Sequence, residues 1–494
     1  MTRQTTGLFV GLLLFGILLI MPVPAGLSTG AMRAGAVTLL MAAWWMSEAI
    51  PISATALIPL ALFPLLKVLD AKTVAANYGH NYVLMLLAGF FIAKAIEEHG
   101  LHRRIALAII LRIGSSRRRL ILSFMVATAF LSMWMANVAV AMLMLPIGLA
   151  VVAREESETK DRDAFGLALM LAIAYSASIG GTGTLIGTPP NMVFAGMVRN
   201  LYPLAPEISF FDWMLIGLPL VVIFVPITWL YLVTYHRIDG NFVGSDDVIA
   251  EEARALGPMS KDEKRVFIIF LLTALGWVFR SGFTFDQTAI PGWAALLGVQ
   301  DMVHDATVAV VGALAMFLTP TGEGHKRLLD WKSAESVPWG VPLIVGGGYA
   351  IANGFTKTGL AIWIGQELSF VSVLPIFLIL LLVVLFITFI TEVNSNTATA
   401  NIFLPVLATM AIAGQAHPYL LMIPGTFACS CAFMLPSGTG PNAVIFGSGR
   451  VTIPQMSRTG LWLNFISIVV VTLAMYLIAI PLFGITSGVP VWAK

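Results

Sequence analysis

Two polar knots, each set inside a long apolar run, constrain this chain more than any other feature. One is Thr391-Glu392-Val393-Asn394-Ser395-Asn396-Thr397, flanked by the apolar runs 373–390 and 402–412. The other is Ser132-Met133-Trp134-Met135-Ala136-Asn137-Val138, with Asn137 lying 259 residues before Asn396. Flanks of this length and hydrophobicity belong in a bilayer. Broken backbone is tolerated there only where it is buried in protein or lines a water-filled cavity. A polar break at that depth therefore marks a functional site.

The knots are copies of one another. Across 136–146 and 395–405, five of eleven positions are identical, among them Asn137/Asn396 and Pro146/Pro405. A second pair follows: Gly187-Thr188-Pro189-Pro190-Asn191 and the residues to 196 match Gly438-Thr439-Gly440-Pro441-Asn442 and the residues to 447 at six of ten positions. A duplication with two interrupted polar segments per half is the pattern of a secondary transporter whose site lies at the repeat interface. Composition agrees. With 58% hydrophobic and 11% charged residues and a mean hydropathy of +0.90, the chain reads as an all-α polytopic membrane protein. A net charge of +2 gives no reason to expect a nucleic-acid partner. Cys429 and Cys431, two apart in an apolar run, read as small buried residues rather than a disulfide.

Eleven segments are expected to span the bilayer: 7–23, 33–50, 52–66, 83–97, 164–182, 212–234, 265–280, 304–319, 341–355, 418–435 and 459–483. The start resembles a signal peptide, but the next apolar segment follows at once, so it is read as the first spanning helix. The two runs that carry the knots, 120–153 and 373–413, read as re-entrant hairpins with the knot at the tip. The expected organisation is a first helix (1–30), a first repeat (31–235) with an unwound helix at 183–192, a solvated linker (236–264), and a second repeat (265–494) unwound at 435–443. The cluster Arg103, Arg104, Arg112, Arg117, Arg118 and Arg119, interleaved with aliphatic residues, reads as an amphipathic helix on the cytoplasmic face. The equivalent stretch of the second half, 356–369, carries one cation, Lys357. Opposite charge bias indicates inverted-topology repeats, with the N-terminus cytoplasmic and the C-terminus external, in a bacterial inner membrane. The segment 280–301 has no clear assignment.

The four interruptions offer hydroxyls, amides and free backbone, with no Lys, Arg or His at any of them. Prolines 189, 190 and 441 sit where a new half-helix begins, a position proline favours. Such a helix start directs partial positive charge and free N–H groups at the cavity, which suits an anion. Unwound carbonyls with Asn, Ser and Thr oxygens suit a small alkali cation. An anion held without fixed cations needs mobile charge beside it, and co-bound Na⁺ supplies it. A lone Asn in a spanning helix is ordinarily interhelical glue; the duplicated combination favours a binding role. Glu392, the one acid beside a tip, reads as a cap on nearby N–H groups before it reads as a proton carrier. The histidines show no metal spacing, and no acid–base or metal cluster suggests an enzyme.

Ser395-Asn396-Thr397, Gly187-Thr188-Pro189-Pro190-Asn191 and Ala432-Phe433-Met434-Leu435-Pro436 running into Gly438-Thr439-Gly440-Pro441-Asn442 resemble the divalent anion:sodium symporter (DASS) family over nearly the whole chain. The resemblance implies a homodimeric elevator transporter, in which a transport domain built from the hairpins and unwound helices slides against a scaffold. It implies di- or tricarboxylates or sulfate as substrates, Na⁺ as the coupling ion and no further cofactor. By motif, one Na⁺ site would use Ser132, Ala136, Asn137 and Gly187, and the other Thr391, Asn394, Asn396 and Gly438. The substrate would touch Asn137, Val138, Thr188, Pro189, Ser395, Asn396, Thr397 and Thr439. The first tip departs from the pattern, reading Ala136-Asn137-Val138 in place of Ser-Asn-Thr, and Gly440 stands where proline is usual. An asymmetric site is the consequence, its first cation position weakened, lost or completed by another ligand. A C4-dicarboxylate is then favoured over citrate. Na⁺-independent exchange, sulfate, sulfonate or aromatic carboxylate transport, and more distantly cation/proton antiport are the alternatives.

Overall fold

The computed structural model describes residues 2–113, 116–158, 163–240, 245–285, 288–322, 326–367, 375–485 and 488–494. Parts of the expected linker (241–244) and of the expected second hairpin (373–374) lie outside the described residues. The described residues are overwhelmingly helical, with one short antiparallel pair, Gly282–Phe285 against Thr288–Pro291. That pair and the turn Trp293–Leu296 occupy the stretch that had no assignment from sequence. Among the described residues, seven helices are long and apolar enough to cross a membrane, and four shorter apolar ones accompany them.

Each expected span falls on helix, with shifted boundaries. The span expected at 52–66 is two pieces, Ile52–Thr55 and Ile58–Leu65. Pro51 precedes the first and Pro59 is the second residue of the other, and a residue without an N–H is tolerated at a helix start more easily than inside one. The stretch expected to open at 83 reaches back through Ala71–Tyr78, bends at Gly79 and continues as Asn81–Glu98.

Both knots break the chain into hairpins. The arms Arg117–Ser132 and Asn137–Glu158 meet at 133–136. At the opposite end the Arg117 Nε donates to Glu155 at 2.5 Å, so the arms run antiparallel from a shared base. In the second hairpin, Ile376–Thr391 and Asn396–Ala413 meet at 392–395, and the Phe386 and Phe403 rings touch edge-on at 5.2 Å. The broken helices are Asp163–Gly181 followed by Pro189–Leu201, and Tyr419–Cys429 followed by Gly440–Gly447. The unwound stretches are thus 182–188 and 430–439, not 183–192 and 435–443. Helix resumes at once where proline or glycine starts it, and the second half stays open longer because Glu392 satisfies its backbone, as described below.

The halves interlock crosswise. The first hairpin packs on Asp163–Gly181 of its own half and on Gly440–Gly447 of the other; the second packs on Tyr419–Cys429 and on Pro189–Leu201. That exchange brings both tips and both unwound stretches to one place. The linker is more than a solvated tether: Ser245–Ala255 forms a helix against Leu101–Ile113 and the first hairpin, with Ile249 buried. Arg103 pairs with Glu252, and Arg104 Nε reaches Glu263 at 2.8 Å. The arginines expected on one amphipathic helix divide between two, Arg103, Arg104 and Arg112 on Leu101–Ile113 and Arg117, Arg118 and Arg119 on the first arm of the hairpin, and Arg103, Arg104 and Arg118 pair with acids of the linker.

Candidate functional site

A cavity of about 500 Å³ lies where the two halves cross. Asn137, Val138, Thr188, Pro189, Ser395, Asn396, Thr397 and Thr439, the residues expected to touch substrate, all line it. So do Ala136, Gly187, Asn394 and Gly438, while Ser132 and Thr391 lie fully buried beneath the tips.

The same hydrogen bonds recur in both halves. Asn191 Nδ2 donates to Gly181 O at 3.1 Å and Thr184 O at 2.7 Å; Asn442 Nδ2 donates to Ala432 O and Leu435 O at 3.0 Å each. Each amide staples an unwound stretch across the start of the helix that follows, which holds the open backbone in one shape. Glycine is needed beneath the first knot: a Cβ on Gly181 would sit 2.5 Å from Asn137 Oδ1, and one on Gly187 would sit 2.4 Å from Gly181 O.

Below each tip a buried hydroxyl gathers a cluster of oxygens. Ser132 Oγ lies 2.6 Å from Asn137 Oδ1 and 2.7 Å from Ala177 O, and its single proton serves one of them at a time. Thr391 Oγ1 repeats the arrangement with Asn396 Oδ1 at 2.8 Å and Cys429 O at 2.9 Å. The inward end of the Asn396 amide also faces Gly438 O at 3.2 Å. Turned with its NH₂ inward, the amide satisfies these oxygens; turned with its carbonyl inward, it completes a four-oxygen group that only a cation relieves. The donor chemistry at both positions fits an alkali ion. Two of these oxygens, Ala177 O and Cys429 O, were missed from sequence, because a backbone carbonyl leaves no trace in residue type. Asn394 fits less well. Its Oδ1 already accepts from Ser395 N at 3.0 Å, leaving a buried Nδ2 without a partner, so its side chain presents a donor and not a ligand oxygen. Ala136 has only its backbone to offer.

The cavity wall is rich in donors. The hydroxyls of Thr188, Ser395 and Thr439 sit at helix N-caps without capping the helix behind them. Those three and Thr397 have no hydrogen-bond partner among the described residues, so all four remain for a ligand. Two helix starts, at Pro189 and Gly440, add partial positive charge, and the second also offers the N–H groups of Gly440 and Asn442, whereas Pro189 and Pro190 have none and Asn191 N is taken by Thr188 O. Glu392 does not add its charge to this wall. Its Oε1 accepts from Phe433 N (2.7 Å), Met434 N (2.9 Å) and Asn464 Nδ2 (2.8 Å), and its Oε2 from Leu435 N (3.1 Å). It caps the unwound backbone, as expected for the structural role. Its counterpart in the first half is Met133, whose carbonyl instead receives the Thr184 hydroxyl.

The departures at Val138 and at Gly440 turn out to be one. A Cβ on Gly440 would lie 2.1 Å from Val138 Cγ2, so the bulk of Val138 occupies the room that the missing side chain leaves. Sequence analysis noted both positions but could not pair them, since they lie in opposite halves. It also missed Arg3 and Glu48, which reach the cavity from the first two helices and are the charged residues among the described lining.

The profile of the sodium:sulfate symporter transmembrane region matches residues 2–485. A sodium-dependent dicarboxylate transporter of Staphylococcus saprophyticus is 41% identical over 501 residues, covering 99% of this chain and 94% of its own. Its namesake in Staphylococcus aureus is 41% identical over 503 residues, covering 100% and 94%. Among solved structures, MtrF of Neisseria gonorrhoeae superposes with a TM-score of 0.59 at 12% identity, covering 99% of this chain and 97% of that one. The YdaH transporter of Alcanivorax borkumensis gives 0.54 at 14% identity, covering 93% and 100%. At these identities the structures speak for the fold alone. Matched along almost its whole length, the chain is an integral membrane protein that belongs to the sodium:sulfate symporter family, the divalent anion:sodium symporters its motifs resemble.

Proposed function

We propose that this protein is a secondary active transporter that imports small dicarboxylates of the C4 type together with Na⁺. One observation carries the reading: two oxygen clusters, the first proton-poor and the second so when the Asn396 carbonyl turns inward, flank a single cavity lined by four partnerless hydroxyls and two helix starts. The clusters suit cations, the wall suits an anion, and each lowers the cost of the other's burial. The dicarboxylate transporters at 41% identity support that choice of cargo. Binding couples to movement because neither charge is stable in the cavity alone. The hairpins and broken helices then carry the filled site past a scaffold in an elevator motion, within a homodimer, with the N-terminus cytoplasmic.

The first cluster lacks the hydroxyl that a serine at 136 would supply, so its cation is held more weakly than that of the second. Transport then responds to Na⁺ in two phases, one at low and one at high concentration. Proteoliposome uptake of labelled succinate, with Na⁺ replaced by K⁺ or choline, tests the proposal. Uptake should need an inward Na⁺ gradient and be inhibited by other C4-dicarboxylates. Equal uptake in all three salts favours exchange instead, and sulfate uptake unaffected by succinate overturns the cargo.

A further inference from the structure

Arg3 reaches the cavity from the first helix, outside the hairpins and broken helices. It opens the helix Arg3–Ile20, whose Gly7 and Gly11 lie so close to Ser47 and Trp44 that an added Cβ would fall 1.9 Å and 2.6 Å from their side chains. Trp44 Nε1 also donates to Leu8 O at 3.3 Å. The first helix is therefore clamped along the second, and Arg3 is held at a fixed place and not on a loose tail. Its guanidinium Nη2 donates to Met46 O, at the end of Thr29–Ser47, and to Val393 O at 2.9 Å, in the tip of the second hairpin. Both Arg3 and Val393 line the cavity. Nε and Nη1 have no partner among the described residues.

We propose that Arg3 is a strap across the cavity mouth, released by the anion that the cavity takes; the cargo, though not the strap, rests on the function proposed above. The argument is one of competing acceptors. In the strapped state a full positive charge is bonded to two neutral carbonyls. A carboxylate presents a charged, bidentate acceptor to the same fork, and such pairs are shorter and stronger than bonds to neutral oxygen. A dianion arriving at the mouth draws the guanidinium toward itself and frees the Val393 carbonyl, which unties the second tip from the first two helices. The contact is exposed, so its strength is modest and depends on salt. Arg3 is thus a positioning residue that recruits the anion and times the movement of the tip, while the tips themselves supply the binding.

Two measurements test this. In Val393→Cys protein, a membrane-impermeant thiol reagent should label the tip slowly without substrate, and about two- to tenfold faster once Arg3→Gln is added. The native cysteines, Cys429 and Cys431, are buried and give little background. In uptake, Arg3→Gln should raise the KM for succinate by about two- to tenfold and flatten its dependence on ionic strength, whereas Arg3→Lys should keep the salt dependence but label fast. Equal labelling rates with and without Arg3, in protein whose thermal unfolding is unchanged, overturn the strap. Failure of the unmodified protein to carry succinate overturns the proposed cargo and leaves the substrate-free labelling comparison to decide the strap.

Discussion

At the scale of single residues, the first tip shows how two substitutions in distant parts of a sequence can be one physical change. Gly440→Ala alone should force Val138 and the tip aside, at a cost of about 1–3 kcal/mol in thermal stability, with most of the uptake lost. Val138→Ala with Gly440→Ala should recover a large share of both, the signature of two positions filling one volume. Adding hydroxyls back reads the other half of the idea. Ala136→Ser should strengthen Na⁺ binding at the first cluster by about tenfold, seen as loss of the high-concentration phase in Na⁺ titrations of uptake. Glu392 asks for care in the same way. Three N–H groups and the Asn464 amide all donate to it, so Glu392→Gln turns an NH₂ toward donors. Loss of uptake in Glu392→Gln, together with a fall in melting temperature worth about 2–4 kcal/mol, is therefore the expected outcome of a missing cap and does not argue for a proton carrier. Full uptake in a protein of unchanged stability would contradict the cap.

At the scale of elements, the repeated units do the same work by different means. Both hairpins fold back at an Asn-bearing knot, and both broken helices are stapled by an Asn ten residues after one carbonyl and seven after the other. The second half adds a carboxylate cap and stays unwound for longer. Asn191→Ala and Asn442→Ala should each abolish Na⁺-dependent uptake, because the staple fixes the shape of backbone that has no helix to hold it. A folded, fully active Asn442→Ala protein would remove the staple from the account. The hairpin tips were legible in sequence because the same polar break recurs at one offset in two apolar runs, which interhelical glue alone does not explain. The length of the second unwound stretch was not, because it depends on Glu392 reaching across 41 residues to Phe433.

At the scale of the whole molecule, the halves are joined away from the cavity as well as around it. Arg280 bonds Asp305 through Nε and Glu207 through Nη2, each at 2.6 Å, and Asp305 Oδ2 takes the N–H of Phe210 at 2.7 Å. Asp305 is fully buried. The network ties the start of the last helix before the linker to two helices after it. Arg280→Ala strands a buried carboxylate and should cost about 3–5 kcal/mol, read as a lowered unfolding temperature in detergent. Arg280 and Asp305 are 25 residues apart and 73 and 95 residues from Glu207 and Phe210, and no local pattern marks them as partners.

The sequence by itself determined that the chain lives in a membrane, that it is doubled, and that each half holds two polar interruptions. Hydrophobic length, repetition and misplaced polarity are all local properties, and a linear reading captures them. Only the tertiary structure decided that Val138 answers Gly440, that carbonyls 177 and 429 join the oxygen clusters, that Glu392 is spent on backbone, and that Arg3 reaches Val393 O beside the cavity. Val138 with Gly440 and Arg3 with Val393 meet through the crosswise packing of the chain, the others through the packing of a hairpin on the broken helix of its own half, and both set distances that no spacing along the chain encodes.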